Sequence, residues 1–160
     1  LFHGTTQDLF SPNAPMTRGM LVTVLYRLAG SPKAAENSGF ADVAAGKYYA
    51  DAVAWAAESG IVSGVSDGCF APDSRVTREQ LAAILYRYAR DKRYDTGRTA
   101  DLMGFADYEQ ISGYAAEALG WANAEGLVSG RSKTALSPQG SATRAEVAAI
   151  LHRFAENVAK

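Results

Sequence analysis

Apolar residues recur at helical spacing in three places along the chain. Leu81, Ile84, Leu85 and Tyr88 stand at i, i+3, i+4 and i+7, which is one face of an amphipathic helix. The same face returns as Leu21, Val24, Leu25 and Leu28, and again as Val147, Ile150, Leu151 and Phe154. Each run follows a Thr-Arg pair, and Thr17, Thr77 and Thr143 lie 60 and then 66 residues apart. A shorter helical pattern covers Tyr48–Glu58, with Tyr49, Ala52, Val53 and Ala56 on its apolar side, and recurs over Tyr114–Glu125. Gly60 and Gly126 follow these shorter helices where a left-handed residue would end them.

The offsets define an internal repeat, which decides architecture before any local reading does. Residues 1–30 align with 61–90, and 48–89 align with 114–155. The chain therefore holds two full repeats, 39–92 and 104–160, and the second half of an earlier one over 1–30. The connections Ser31–Gly39 and Asp91–Gly104 are polar, contain glycine or proline, and read as surface linkers. Three helices with one apolar face each bury those faces most economically against one another. The expected fold is all-α: a pseudo-threefold array of helix-loop-helix repeats around a central three-helix bundle, together one domain. Because the chain opens in mid-pattern, it is expected to be a piece of a longer protein.

Much of the Thr-Arg entry is helix-starting chemistry. Thr77 with Gln80, and Thr143 with Glu146, have the spacing of capping boxes. Met16 with Leu21, Val76 with Leu81, and Ala142 with Val147 occupy hydrophobic-staple positions. Arg18, Arg78 and Arg144 are different, because the helix dipole disfavours a cation at the first helical position. Two explanations stand: an ion pair with a carboxylate of a neighbouring repeat, or an anion site. In the second, guanidinium and first-turn N–H groups would converge on a carboxylate or phosphate. Arg27, Arg87 and Arg153 read instead as complements to the dipole near the helix ends. On the shorter helices, Tyr48, Asp51 and Trp55 share a stripe, as do Tyr114, Glu117 and Trp121. A carboxylate one turn before a tryptophan suits a sugar, although a tryptophan wedged between helices is the equal alternative.

Composition narrows the classes. Apolar residues make up 48% and charged residues 21%, a globular balance. The net charge of −1 argues against a broad basic face for nucleic acid, so recognition of an anion must use locally placed cations. No apolar run approaches the roughly 20 residues of a membrane span. Cys69 is the single cysteine, and its repeat equivalents are Leu9 and Ala135, so it reads as a small apolar side chain. Neither metal-binding spacing nor a nucleophile, phosphate-loop or dinucleotide motif is present. No catalytic residue, metal or cofactor is expected.

The ordered landmarks resemble the S-layer homology family of bacterial surface modules. They are Phe40-Ala-Asp-Val43, Tyr49 through Trp55-Ala, Gly60-Ile-Val-Ser-Gly64, Phe70-Ala-Pro72, Thr77-Arg-Glu-Gln80 and the verbatim hallmark Thr143-Arg-Ala-Glu146. The resemblance implies a pseudo-trimeric array that anchors a larger exported protein non-covalently at the bacterial cell wall, outside the cell. It also implies a ligand, a secondary cell-wall polysaccharide bearing ketal-linked pyruvate, held in grooves between repeats. On that reading Arg78, Arg144 and Arg18 meet the pyruvyl carboxylate. Trp55, Trp121, Asp51 and Glu117 meet the sugar, and Gly64 and Gly130 allow close backbone approach. The alternative is an interaction or self-assembly module with the same fold. The first repeat departs from the pattern: it lacks an opening helix and reads Thr17-Arg18-Gly19-Met20, so fewer than three working grooves are expected.

Overall fold

The computed structural model describes residues 1–6 and 9–160. The protein is mainly helical: α1 (Arg18–Leu28), α2 (Ala50–Glu58), α3 (Arg78–Asp91), α4 (Ala116–Ala124) and α5 (Arg144–Asn157). Single 3-10 turns at Tyr108–Gln110 and Gly113–Ala115 precede α4. Among the described residues extended pairing is limited to isolated bridges, such as Thr17 with Arg75 and Thr77 with Ser141. The all-α expectation holds.

The helix starts follow from local chemistry. Thr77 and Thr143 accept from the amides of Gln80 and Glu146, whose side chains return the bond to the threonine N–H, so both capping boxes are complete. At α1 Thr17 likewise accepts from Met20 N–H, and a methionine stands where the box has Gln or Glu. The ends of α2 and α4 are matching Schellman caps. Gly60 and Gly126 adopt φ of +69° and +71°, and the amides of Ile61 and Leu127 reach back to the carbonyls of Ala56 and Ala122.

The chain forms two compact units, Leu1–Val76 and Thr77–Lys160. In the first, α1 packs on α2; in the second, α3 packs on α4. Each pairing joins the closing helix of one repeat to the opening helix of the next. Tyr26 lies against Trp55 with ring centroids 5.6 Å apart, and Tyr86 against Trp121 at 5.4 Å. Of the contacts expected among the long helices, one falls inside a single unit: Tyr88 of α3 meets Phe154 of α5 at 5.9 Å. The second linker is less superficial than its composition suggests. Leu102 is buried, Ala100 N–H donates to the Gly120 carbonyl, and a Cβ on Gly120 would stand 2.6 Å from Thr99 Oγ1.

A paired substitution explains the departure in the first repeat. Gly19 has no side chain because the Tyr49 ring fills that space, at 3.0 Å from where a Cβ would lie. In the second unit the equivalents are Glu79 and Ala115. Without the tyrosine ring there, Glu79 has room to become a buried carboxylate, 2% exposed. It accepts from Ser112 N–H and Oγ at 3.0 and 2.7 Å, from Gln139 Nε2 at 2.8 Å and from Tyr114 hydroxyl at 3.4 Å.

A Cβ on Gly60 would meet no atom within 4 Å, so the strain of substitution there is purely conformational. Gly60→Ala is expected to cost about 1–2 kcal/mol, read as a lower urea midpoint. Gly104→Ala, equally open and without a positive φ, should be neutral by the same measure.

Candidate functional site

Arg18 and Arg78 turn away from their own helices onto the loop of the following repeat. Arg18 Nε donates to the Phe70 carbonyl at 2.9 Å and Nη2 to the Ser63 carbonyl at 3.2 Å, with the guanidinium 4.6 Å from the Phe70 ring centre. Arg78 repeats this: Nε donates to the Leu136 carbonyl at 3.0 Å and Nη2 to the Ser129 carbonyl. The two arginines are 5% and 6% exposed. Burial pulls the Arg78 guanidinium below its ordinary value, an effect opposed by the carboxylates of Glu146 and Asp107 and reinforced by Arg131.

The same loop residue is gripped from the other side. Asp42 accepts from the amides of Phe70 and Ala71 at 2.8 and 2.7 Å; Asp107 accepts from those of Leu136 and Ser137 at the same distances. Ala71 and Ser137 have φ of +56° and +54°, a left-handed conformation that costs on the order of 1–3 kcal/mol outside glycine. The carboxylate forks help hold it. The Phe70 amide is the main influence that keeps Asp42 below the ordinary carboxylate range, with Ala71 and Arg18 adding to it against the cost of burial. Leu136, Ser137 and Arg78 do the same for Asp107.

The loop then caps the helix that grips it. Arg18 and Gly19 amides donate to the carbonyls of Ser74 and Pro72, and Arg78 and Glu79 amides to those of Gly140 and Pro138. The first-turn N–H groups expected to face an anion at α1 and α3 are thus already bonded. This is a correction to the anion-site geometry, and its cause is that loop carbonyls reach the helix entry first.

In the second unit this arrangement leaves a cleft of about 300 Å³, bounded by the start of α3, the loop after α4 and the exposed side of α5. Its charged lining is Arg78, Arg131, Arg153 and Glu146, with Ser129 and Gly130 contributing backbone. Glu146 Oε1 lies 3.4 Å from Arg131 Nη2 and 4.0 Å from Arg78 Nη1.

Of the expected site residues, the cleft brings together Arg78 and Gly130. Arg144 is buried at the start of α5, 5% exposed, as Arg18 is at α1. Trp55 and Trp121 are 5% and 1% exposed, so neither offers a ring face to solvent, which corrects the sugar-stacking expectation. The reason is that their side of the short helix faces a tyrosine of the preceding long helix, Tyr26 or Tyr86, and Trp121 also meets Phe154 at 6.4 Å. The exposed aromatics of those stripes are Tyr48 and Tyr114. Asp51 is exposed, and Glu117 accepts from the Tyr86 hydroxyl at 2.8 Å. Gly64 is a packing glycine, since a Cβ there would stand 2.6 Å from the Cys69 carbonyl oxygen and 3.1 Å from the Phe40 ring. Gly130 is likewise crowded, by Phe105 and the Ser132 carbonyl. Two cleft residues were not singled out as ligands by pattern. Arg153 looked like a dipole complement, but α5 continues to Asn157 and leaves it outside the last turn. Arg131 carried one signal, its mismatch with Val65 in the preceding repeat.

The family model described as the S-layer homology domain matches residues 39–82 and 104–148. The chain is 32% identical over 161 residues to an amylopullulanase of Thermoanaerobacterium thermosulfurigenes, covering 98% of this chain and 8% of that protein. It is 32% identical over 161 residues to the surface-layer 125 kDa protein of Lysinibacillus sphaericus, covering 99% and 13%. To a cellulosome-anchoring protein of Acetivibrio thermocellus it is 28% identical over 164 residues, covering 96% and 35%. The chain thus spans a small part of the curated relatives it matches.

The two aspartates give the fold an acid sensitivity of definite sign. Their folded values lie below the ordinary 3.8, so their contribution is complete above that pH and is lost as pH falls through the lowered values. Asp107→Asn keeps the shape but can accept with only one of its two terminal atoms. It should melt lower than the parent at pH 7, and the gap should close as the pH is taken below 3.8, followed by circular dichroism. A gap independent of pH would show that the charge contributes nothing.

Proposed function

The chain belongs to the S-layer homology domain family, and we propose that it is a non-catalytic module anchoring a larger exported protein to the bacterial cell wall. Support comes from the company the sequence keeps. Its relatives include an amylopullulanase, a surface-layer protein and a cellulosome-anchoring protein, and this chain corresponds to 8%, 13% and 35% of their lengths. What is common to proteins of such different kinds is better read as their attachment to the cell surface than as any one activity.

The cleft of the second unit carries the finer reading. Three arginines and one glutamate line it on a chain whose net charge is −1, so the cationic character is local and suits an anionic ligand. We infer a secondary cell-wall polysaccharide bearing ketal-linked pyruvate, bound non-covalently in a groove between repeats. About 300 Å³ is at the lower end of small-molecule sites and fits a terminal sugar or two. Arg78 forms the fixed floor, Arg153 a solvent-facing donor to the pyruvyl carboxylate, and the backbone around Gly130 a close-approach surface for the sugar. Arg18 and Arg144, buried at the equivalent helix entries, would play the corresponding part in other grooves. Trp55 and Trp121 each support the helix pairing of their own unit.

Purified cell-wall sacculi, before and after acid removal of pyruvate, test this directly. The 160-residue chain should sediment with intact walls and stay in solution with treated ones. Arg153→Ala, on an exposed surface, should fold normally and bind about tenfold more weakly, the worth of one charge-assisted hydrogen bond. Equal retention on treated walls would overturn the carboxylate reading in favour of a protein-interaction module.

A further inference from the structure

Within the cleft, one charge pair is peculiar to the third repeat. Arg131 stands where the preceding repeat has Val65, and Glu146 where it has Gln80. The chain makes room for this arginine: a Cβ on Gly140 would fall 2.8 Å from Arg131 Nη1, and the preceding repeat has Ser74 at that position. The guanidinium is seated between the Ser141 carbonyl at 2.6 Å and both oxygens of Glu146 at 3.4 Å. Glu146 has little freedom to follow a moving partner, because its Oε2 accepts from Thr143 N–H at 2.9 Å as part of the helix cap. The side chains are 39% and 33% exposed, so the pair is wet and not a buried structural bridge.

Building on the polysaccharide-binding reading, we propose that Arg131 is a ligand-binding cation particular to this cleft and that Glu146 is its built-in counter-ion. An incoming carboxylate shares Arg131 and Arg78 with a protein carboxylate that cannot leave. The pair thereby sets the affinity of this cleft and its preference for charged over neutral sugars. If instead the pair merely tied the loop to α5, removing either partner would act in the same direction. If Glu146 competes with the ligand, removing its charge strengthens binding while removing Arg131 weakens it.

The repeat supplies both test variants, Arg131→Val and Glu146→Gln, each introducing the residue the chain uses at the equivalent position. Gln80 completes a capping box with Thr77 at 3.2 Å, so Glu146→Gln keeps the helix start. Binding of the 160-residue protein to pyruvate-bearing sacculi would be titrated at low salt and at about 0.5 M salt, with melting checked alongside. Arg131→Val should weaken binding and Glu146→Gln should tighten it, each by up to about fivefold. Both differences should shrink at high salt. If wild-type binding requires pyruvate but the two variants shift together or not at all, this inference falls while the anchoring reading stands. Wild-type binding that ignores acid treatment overturns both.

Discussion

The protein depends on a two-handed grip on one residue of each loop. An arginine takes the carbonyl of Phe70 or Leu136, and an aspartate takes the amide of the same residue. A cation at a helix start is mildly unfavourable for that helix, yet here it is directed at two carbonyls of another segment. Those loops carry a left-handed non-glycine residue and send their own carbonyls back to the helix entry. The dependencies close on themselves: the helix needs the loop for its caps, and the loop needs the helix for its shape.

Around this shared grip, the two units vary by coordinated exchange. Where Gly19 meets the Tyr49 ring, the second unit has Glu79 with Ala115 and a polar network. Where the second repeat has Val65 and Ser74, the third has Arg131 seated over Gly140. In each case volume removed at one position accommodates what is gained at another, as close packing requires. The constant part supports the backbone, and the exchanged part places a buried carboxylate in one case and a surface cation in the other.

Much of this was legible in the residues. Apolar spacing identified the long helices, and the glycines after the short ones fell at Schellman caps as expected. The threonine boxes closed wherever the fourth residue was Gln or Glu. The arginines' partners were not legible, because main-chain carbonyls have no letter in a sequence. The tryptophans misled for a related reason. A helical wheel places Trp55 off the apolar stripe, but a nine-residue, alanine-rich helix has Ala52 through Ala56 buried in succession, leaving no dry and wet side to distinguish. Arg153 was misjudged by helix length alone, since α5 runs a turn beyond the point where the apolar pattern ends.

The helix pairings are out of phase with the repeats: α1 belongs with α2, and α3 with α4, across the linkers. The second repeat therefore carries one half of two different partnerships, like a brick laid across a joint. A repeat excised at its own sequence boundaries would be two mismatched halves and not a small folded protein. Copying a repeat in tandem, by contrast, creates one complete new partnership at the junction. An array built this way can change length by gene duplication without inventing an interface, while its individual members have no independent life.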